Sequence, residues 1–138
     1  MNAAVPMLEI TAGAMAQARA LCATRELSML AALQELAACS AQACMAAVAR
    51  QFGYPVLSLQ DLQTLQADFD TLAFTDCVQR GVLLGKRESG PAWLALADPF
   101  DGMTEAWALR RCARQGLTPR VALAQADDLQ AYLAQQET

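Results

Sequence analysis

The first third of the chain carries apolar residues at helical spacing, and this pattern predicts three helices. They cover Leu8–Arg25, Leu27–Leu36 and Ala41–Gln51. Ser40 is a favourable N-cap for the third helix, and Gly53 can close that helix in the left-handed conformation. Because helices this short are not stable alone in water, we expect them to pack on one another.

Beyond the third predicted helix, the pattern changes to short apolar runs separated by turn residues. Two such runs, Val82–Arg87 and Ala92–Ala97, flank a Glu-Ser-Gly-Pro turn at 88–91 and predict a β-hairpin. Leu117–Leu123 predicts a third strand, in which Pro119 requires a late start or an edge position. The remaining elements are an extended segment at Tyr54–Leu59, one or two helical turns at Asp61–Gln66, and helices at Phe74–Arg80, Asp101–Gln115 and Gln125–Gln135.

This order of elements predicts an α+β (α/β) fold with two lobes. A helical N-terminal lobe spans residues 1–53, and a small three-stranded sheet lobe flanked by helices spans 54–138. The strands on either side of the Asp101–Gln115 helix are expected to form a right-handed parallel crossover. Asp98-Pro99 marks the change from strand to helix, and either Asp98 or Asp101 can cap that helix.

Charge narrows the choice of partner. The chain has 10 basic and 14 acidic residues, a net charge of −4, and all of the excess acid follows Ser58. We therefore expect no nucleic-acid binding, which needs a basic face. No apolar run is long enough to cross a bilayer, and the N-terminus lacks the pattern of a signal peptide, so we expect a cytoplasmic protein without membrane insertion.

No catalytic or metal-binding constellation is visible. The five cysteines include no Cys-x-x-Cys pair, and the chain has no histidine. Gly81–Arg87 resembles a phosphate-binding loop only superficially, because three residues separate its glycines and neither Ser nor Thr follows Lys86. We therefore expect a non-enzymatic domain with buried free thiols, no cofactor and no metal.

One predicted helix carries the composition of an interaction surface. Its basic face has arginines beside an aromatic and an apolar side chain, at Met103, Trp107, Arg110, Arg111 and Arg114. Leu109, Cys112 and Ala113 are expected on the core side. Trp and Arg are enriched at binding hot spots, so this face is the candidate contact for an acidic protein surface. The alternative is a solvated basic face with Trp107 tucked at its edge.

Two stretches resemble a known family. Arg50–Leu59, with its Arg-Gln-Phe-Gly-Tyr-Pro core, and Leu94–Asp101, with Asp-Pro-Phe-Asp after a strand, are similar to the N-terminal domain of type II secretion and type IV pilus assembly ATPases. This domain is also attached to some bacterial membrane glycosyltransferases related to a phage receptor. The resemblance covers roughly Leu8–Gln135. It implies a helical lobe, a small α/β lobe, and a docking role at the cytoplasmic part of an inner-membrane protein.

Some relatives bind cyclic di-GMP through a pattern that the resemblance lets us place on this chain. The pattern opens with Arg-Leu-Gly, where this chain has Ser28, Met29 and Leu30, and its central Gly falls at Ala37. The positions that fit are Leu33, Val48 and Gln51. We therefore expect no cyclic di-GMP binding. The prediction is a non-catalytic interaction and regulatory domain at the inner face of the bacterial inner membrane, with a cyclic di-GMP sensor as the alternative.

Overall fold

A computed structural model describes residues 10–136 of the chain. The chain divides after Gly53 into two compact units, which we call the helical unit and the α/β unit. Whether the two units together act as one secretion-ATPase N-terminal-like domain stays a prediction. The start of the first predicted helix, at Leu8 and Glu9, lies outside the described residues.

The helical unit contains α1 (Ala12–Arg25), α2 (Met29–Ala37) and α3 (Ala41–Phe52). Each begins at a hydroxyl side chain that accepts a hydrogen bond from the backbone N–H three residues ahead, at Thr11, Ser28 and Ser40. The predicted roles of Ser40 and Gly53 are confirmed, because Ser40 Oγ caps α3 and Gly53 closes it at a φ of 75°.

The two turns inside the helical unit share one geometry. α1 ends at Glu26 and α2 ends at Ala38, both in the left-handed region with φ of 54° and 51°. In each turn a single residue then separates the left-handed residue from the serine that caps the next helix. Non-glycine residues rarely adopt this conformation, so both turns hold some backbone strain.

The α/β unit is a five-stranded mixed sheet with four helices. Its elements are β1 (Val56–Leu57), α4 (Leu59–Gln63), β2 (Gln66–Ala67), α5 (Phe74–Arg80), β3 (Val82–Lys86), β4 (Ala92–Leu96), α6 (Gly102–Arg114), β5 (Arg120–Ala124) and α7 (Ala126–Gln136). The strand order is β1-β5-β4-β3-β2. β5 runs parallel to β1 and β4, whereas β3 is antiparallel to β4 and β2.

The predicted α+β class is confirmed, as are the hairpin and the parallel β4–α6–β5 crossover. The sheet has five strands rather than the predicted three. The two additional strands, β1 and β2, lie at the edges of the sheet. Each is only two residues long, which is too short to show an alternating apolar pattern along the sequence. β5 begins at Arg120, directly after Pro119, which is the late start that the proline required.

Gly85 lies within β3 and not in a phosphate-binding loop. It pairs with Ala67 of the neighbouring strand. A Cβ atom at Gly85 would lie 3.1 Å from both the Gln66 carbonyl oxygen and the Leu65 Cβ, so close packing accounts for the glycine.

Within residues 10–136, no single helix has the length and apolar composition of a membrane span. α2 and α3 meet that test only as a pair, and the pair is bent by 115°.

Candidate functional site

The helix α6 begins at a firmly capped N-terminus. Asp101, rather than Asp98, is its N-cap: the carboxylate accepts hydrogen bonds from the Thr104 N–H at 3.1 Å and the Thr104 hydroxyl at 2.7 Å. These bonds, aided by the charge of Arg80, lower the pKa of Asp101. Asp98 instead accepts the Phe100 N–H at 3.0 Å, and burial raises its pKa. Both carboxylates therefore have structural roles.

The inner face of α6 is formed by Thr104, Ala108 and Cys112, four residues apart and buried. Of the residues expected on this side, Cys112 is buried and Leu109 is half-buried, but Ala113 is exposed. That part of the prediction is wrong because the buried stripe of α6, at Thr104, Ala108 and Cys112, is narrower than half of the helix circumference and does not include Ala113. The outer face, as predicted, carries the arginines.

The Trp107 indole is the centre of the basic face. The Arg80 guanidinium carbon lies 4.1 Å from the ring centroid, and that of Arg111 lies 5.5 Å from it. Both distances are within the range of cation–π attraction. Trp107 is half-buried, as the alternative of a tucked side chain required, yet it remains part of the surface.

Trp107, Arg110, Arg111 and Arg114 line a shallow groove of about 140 Å³. We call these four residues with Arg80 and Met103 the basic face. Within residues 10–136, the one ion pair is Arg25–Glu35 in the helical unit, so Arg110, Arg111 and Arg114 form no ion pair among the described residues, whereas Arg80 lies near the Asp101 carboxylate. Glu105 is already engaged, because it accepts the Tyr54 hydroxyl at 3.0 Å.

The structure brings together most of the residues predicted for the site. Met103 is 85% exposed one turn before Trp107, and Arg110, Arg111 and Arg114 follow on the same helix. Arg80 was missed, because it comes from the end of α5 and periodicity within one helix carries no information about another helix. Among the described residues a second pair of the same types exists, Arg120 with Trp93, at 5.9 Å.

The cysteines form neither a disulfide nor a metal-binding group within residues 10–136. All five are free, and no group of metal-ligating side chains occurs in the part of the chain that the structure describes. Burial, the largest cause, raises the pKa of Cys44 to about 11 and that of Cys77 to about 12. At neutral pH these two thiols are therefore protonated and weakly nucleophilic.

Comparison with known proteins identifies the class. The MshEN domain model matches residues 52–137, more than half of the chain, so the chain belongs to the MshEN domain family. The resemblance to the N-terminal domain of secretion and pilus ATPases is thereby confirmed. No match was found among curated protein sequences.

Two solved structures share the fold. A structure of MshE with cdg, the abbreviation of cyclic di-GMP, is 17% identical with a TM-score of 0.68, and covers 91% of this chain and 89% of that one. The N-terminal domain of XpsE is 19% identical with a TM-score of 0.59, and covers 91% of this chain and 85% of that one. At these identities the likeness shows the fold alone.

The expectation that cyclic di-GMP does not bind is wrong as an inference from sequence, because a structure of the same fold, MshE, was solved with that ligand. The expectation rested on side-chain identities at Ser28, Met29, Leu30 and Ala37. In the structure, Ser28 is the N-cap of α2, and Ala38, next to the expected glycine position, is left-handed.

Proposed function

We propose that this chain is a non-catalytic regulatory and docking domain. It would couple an attached motor ATPase or membrane glycosyltransferase to the cytoplasmic part of an inner-membrane protein, at the inner face of that membrane. Membership of the MshEN family supports the regulatory class. The observation that carries the docking role is the basic face, in which Arg110, Arg111 and Arg114 form no ion pair within residues 10–136.

The chemistry of this face favours an acidic protein surface as the partner. Guanidinium groups bind carboxylates through paired hydrogen bonds, and the Trp107 indole supplies apolar area that is desolvated on contact. Arg80 and Arg111 already stack on the ring, so less side-chain freedom is lost when a partner binds. The exposed Met103 extends the apolar part by one helical turn.

The test is capture by the purified cytoplasmic part of the inner-membrane protein of the same secretion or pilus system. We expect Trp107→Ala with Arg111→Glu to weaken capture by more than about tenfold, as removal of a hot spot does. The matched control is Trp93→Ala with Arg120→Glu, which removes the same residue types elsewhere in the α/β unit. Equal capture by both double variants, with intact circular dichroism, would contradict the docking role of the basic face.

Cyclic di-GMP binding is a second candidate function. It is favoured by the fold shared with MshE, which was solved with cdg. Calorimetric titration of the chain with cyclic di-GMP, with GTP as the control nucleotide, tests it. Micromolar or tighter binding of cyclic di-GMP alone supports the sensor, and equal or no heat from both nucleotides removes it.

A further inference from the structure

A cavity of about 460 Å³ opens at the end of the sheet where β3 finishes and β4 begins. Its lining includes Leu84 and Lys86 of β3, the segment 68–70, and Leu117, which follows α6. Small-ligand pockets commonly have volumes of roughly 300–1,000 Å³. The cavity shares no residue with the basic face, so it is a separate candidate site.

The apolar part of this cavity is preformed. Phe69 packs edge to face against Phe74, with ring centroids 5.4 Å apart, and this contact fixes the ring on the cavity wall. Leu84 is almost fully buried beneath, and Leu117 is half-buried opposite the segment 68–70. A ligand with an apolar stem therefore meets a rigid surface and does not have to order it.

The charged groups of the cavity favour a cation. Asp68 is held in place by the Thr71 N–H at 3.1 Å and the Thr71 hydroxyl at 2.7 Å. Asp70 is exposed and has no ion-pair partner among the described residues, and Lys86 is the one basic residue of the lining. Two carboxylates against one ammonium disfavour a phosphate ligand.

Asp68 lies near the C-terminal end of α6. After burial, the charge of Asp68 is the second cause that raises the pKa of Cys112, a residue of the last turn of α6. A bound cation would neutralise the charge of Asp68.

We propose that this acidic cleft, formed by Asp68, Phe69, Asp70, Leu84, Lys86 and Leu117, binds an arginine or lysine side chain of an extended partner segment. The aliphatic stem lies on Phe69 and Leu117, and the cationic head lies between the two aspartates, where Phe69 adds cation–π attraction. The choice of a protein as the source of the cation rests on the proposed docking function. The preference of the cleft for a cation does not depend on that proposed function.

The first test uses the ¹⁵N-labelled chain and the peptide acetyl-Leu-Arg-Leu-amide, with acetyl-Leu-Gln-Leu-amide as the neutral control. We expect saturable amide shifts confined to the cleft, and roughly fivefold tighter binding of the arginine peptide. Equal affinities, shifts outside the cleft, or no saturable shift would each overturn the proposal.

The second test reverses the charge of the cleft. Asp70→Lys, at an exposed site, should shift the preference from the arginine peptide towards acetyl-Leu-Glu-Leu-amide, whereas Asp127→Lys on the surface of α7 should leave it unchanged. An unchanged preference in Asp70→Lys would overturn the proposal. Trp107→Ala with Arg111→Glu should retain peptide binding, so failure of the basic face and failure of the cleft are read separately.

Discussion

The two units differ in how far apart along the chain the residues of their stabilising contacts lie. The helix-capping contacts of the helical unit are local, and contacts of the α/β unit join distant segments. In the helical unit, each helix starts at a hydroxyl side chain bonded to the amide three residues ahead and ends at a left-handed residue. In the α/β unit, Val56 pairs with Leu123, and the Tyr132 hydroxyl donates to the Leu65 carbonyl oxygen at 2.8 Å.

The family model matches the α/β unit and not the helical unit. The match spans residues 52–137, which is the α/β unit with Phe52 and Gly53 before it. Sheet pairing couples side chains from many segments, so it constrains sequence throughout the unit. Caps and turns constrain only a few positions, so helices can keep their geometry while most of their side chains change.

The largest expected effect is Leu94→Ala in the central strand β4. Leu94 is fully buried, and neighbouring strands pair with β4 on both sides, so the site cannot easily collapse. We expect a loss of about 3–5 kcal/mol in the free energy of unfolding, from denaturant unfolding of the α/β unit. For Leu33→Ala in α2 we expect a smaller loss in the free energy of unfolding, about 2–3 kcal/mol. A larger loss at Leu33 would contradict the comparison.

Tyr132→Phe tests a single long-range bond. Its hydroxyl donates to the Leu65 carbonyl oxygen and accepts the Ala67 N–H, so it satisfies the outer side of the edge strand β2. Removing it leaves buried backbone groups unpaired, and we expect a loss of about 1–2 kcal/mol and faster hydrogen exchange at Ala67. Tyr54→Phe, at a half-exposed site, is the control and should cost less. An equal loss of stability in the two variants would contradict the stabilising role of the Tyr132 hydroxyl bonds.

Ala38→Gly tests the backbone conformation of one turn in the helical unit. Ala38 has a φ of 51°, and glycine adopts this conformation without steric cost. We expect thermal unfolding to show a gain of about 0.5–1 kcal/mol. Ala37→Gly, one residue earlier and still helical, should instead lose roughly 0.5 kcal/mol. A gain at Ala37 would show that the turn follows the register of the family pattern and not the register observed.

The smallest effect concerns pH and the start of α6. The pKa of Asp101 is lowered from 3.8, so its stabilisation is present above that pH and is lost as the pH falls through the lowered value. The pKa of Asp98 is raised, so its contribution is present at low pH and is lost as the pH rises through the raised value. Asp101→Asn should therefore lower the stability most near pH 7. Asp98→Asn should lower the stability least near pH 7. Thermal midpoints from about pH 3 to 7 test this; parallel profiles would contradict it.

The sequence by itself determined the features that depend on neighbouring residues. Ser40 and Gly53 bound α3 as predicted, the turn at 88–91 makes the hairpin, and the arginines of α6 share its outer face. Capping bonds and helical periodicity act within a few residues, so residue types and their spacing are sufficient to predict them.

The tertiary structure alone decided what joins distant segments. It made strands of Val56–Leu57 and Gln66–Ala67, placed Arg80 on Trp107, and brought the segment 68–70 beside Lys86 and Leu117. It also placed a left-handed residue at Ala38, one position after the expected glycine. Pairing between strands and stacking between helices depend on distances in space, which spacing along a single sequence does not contain.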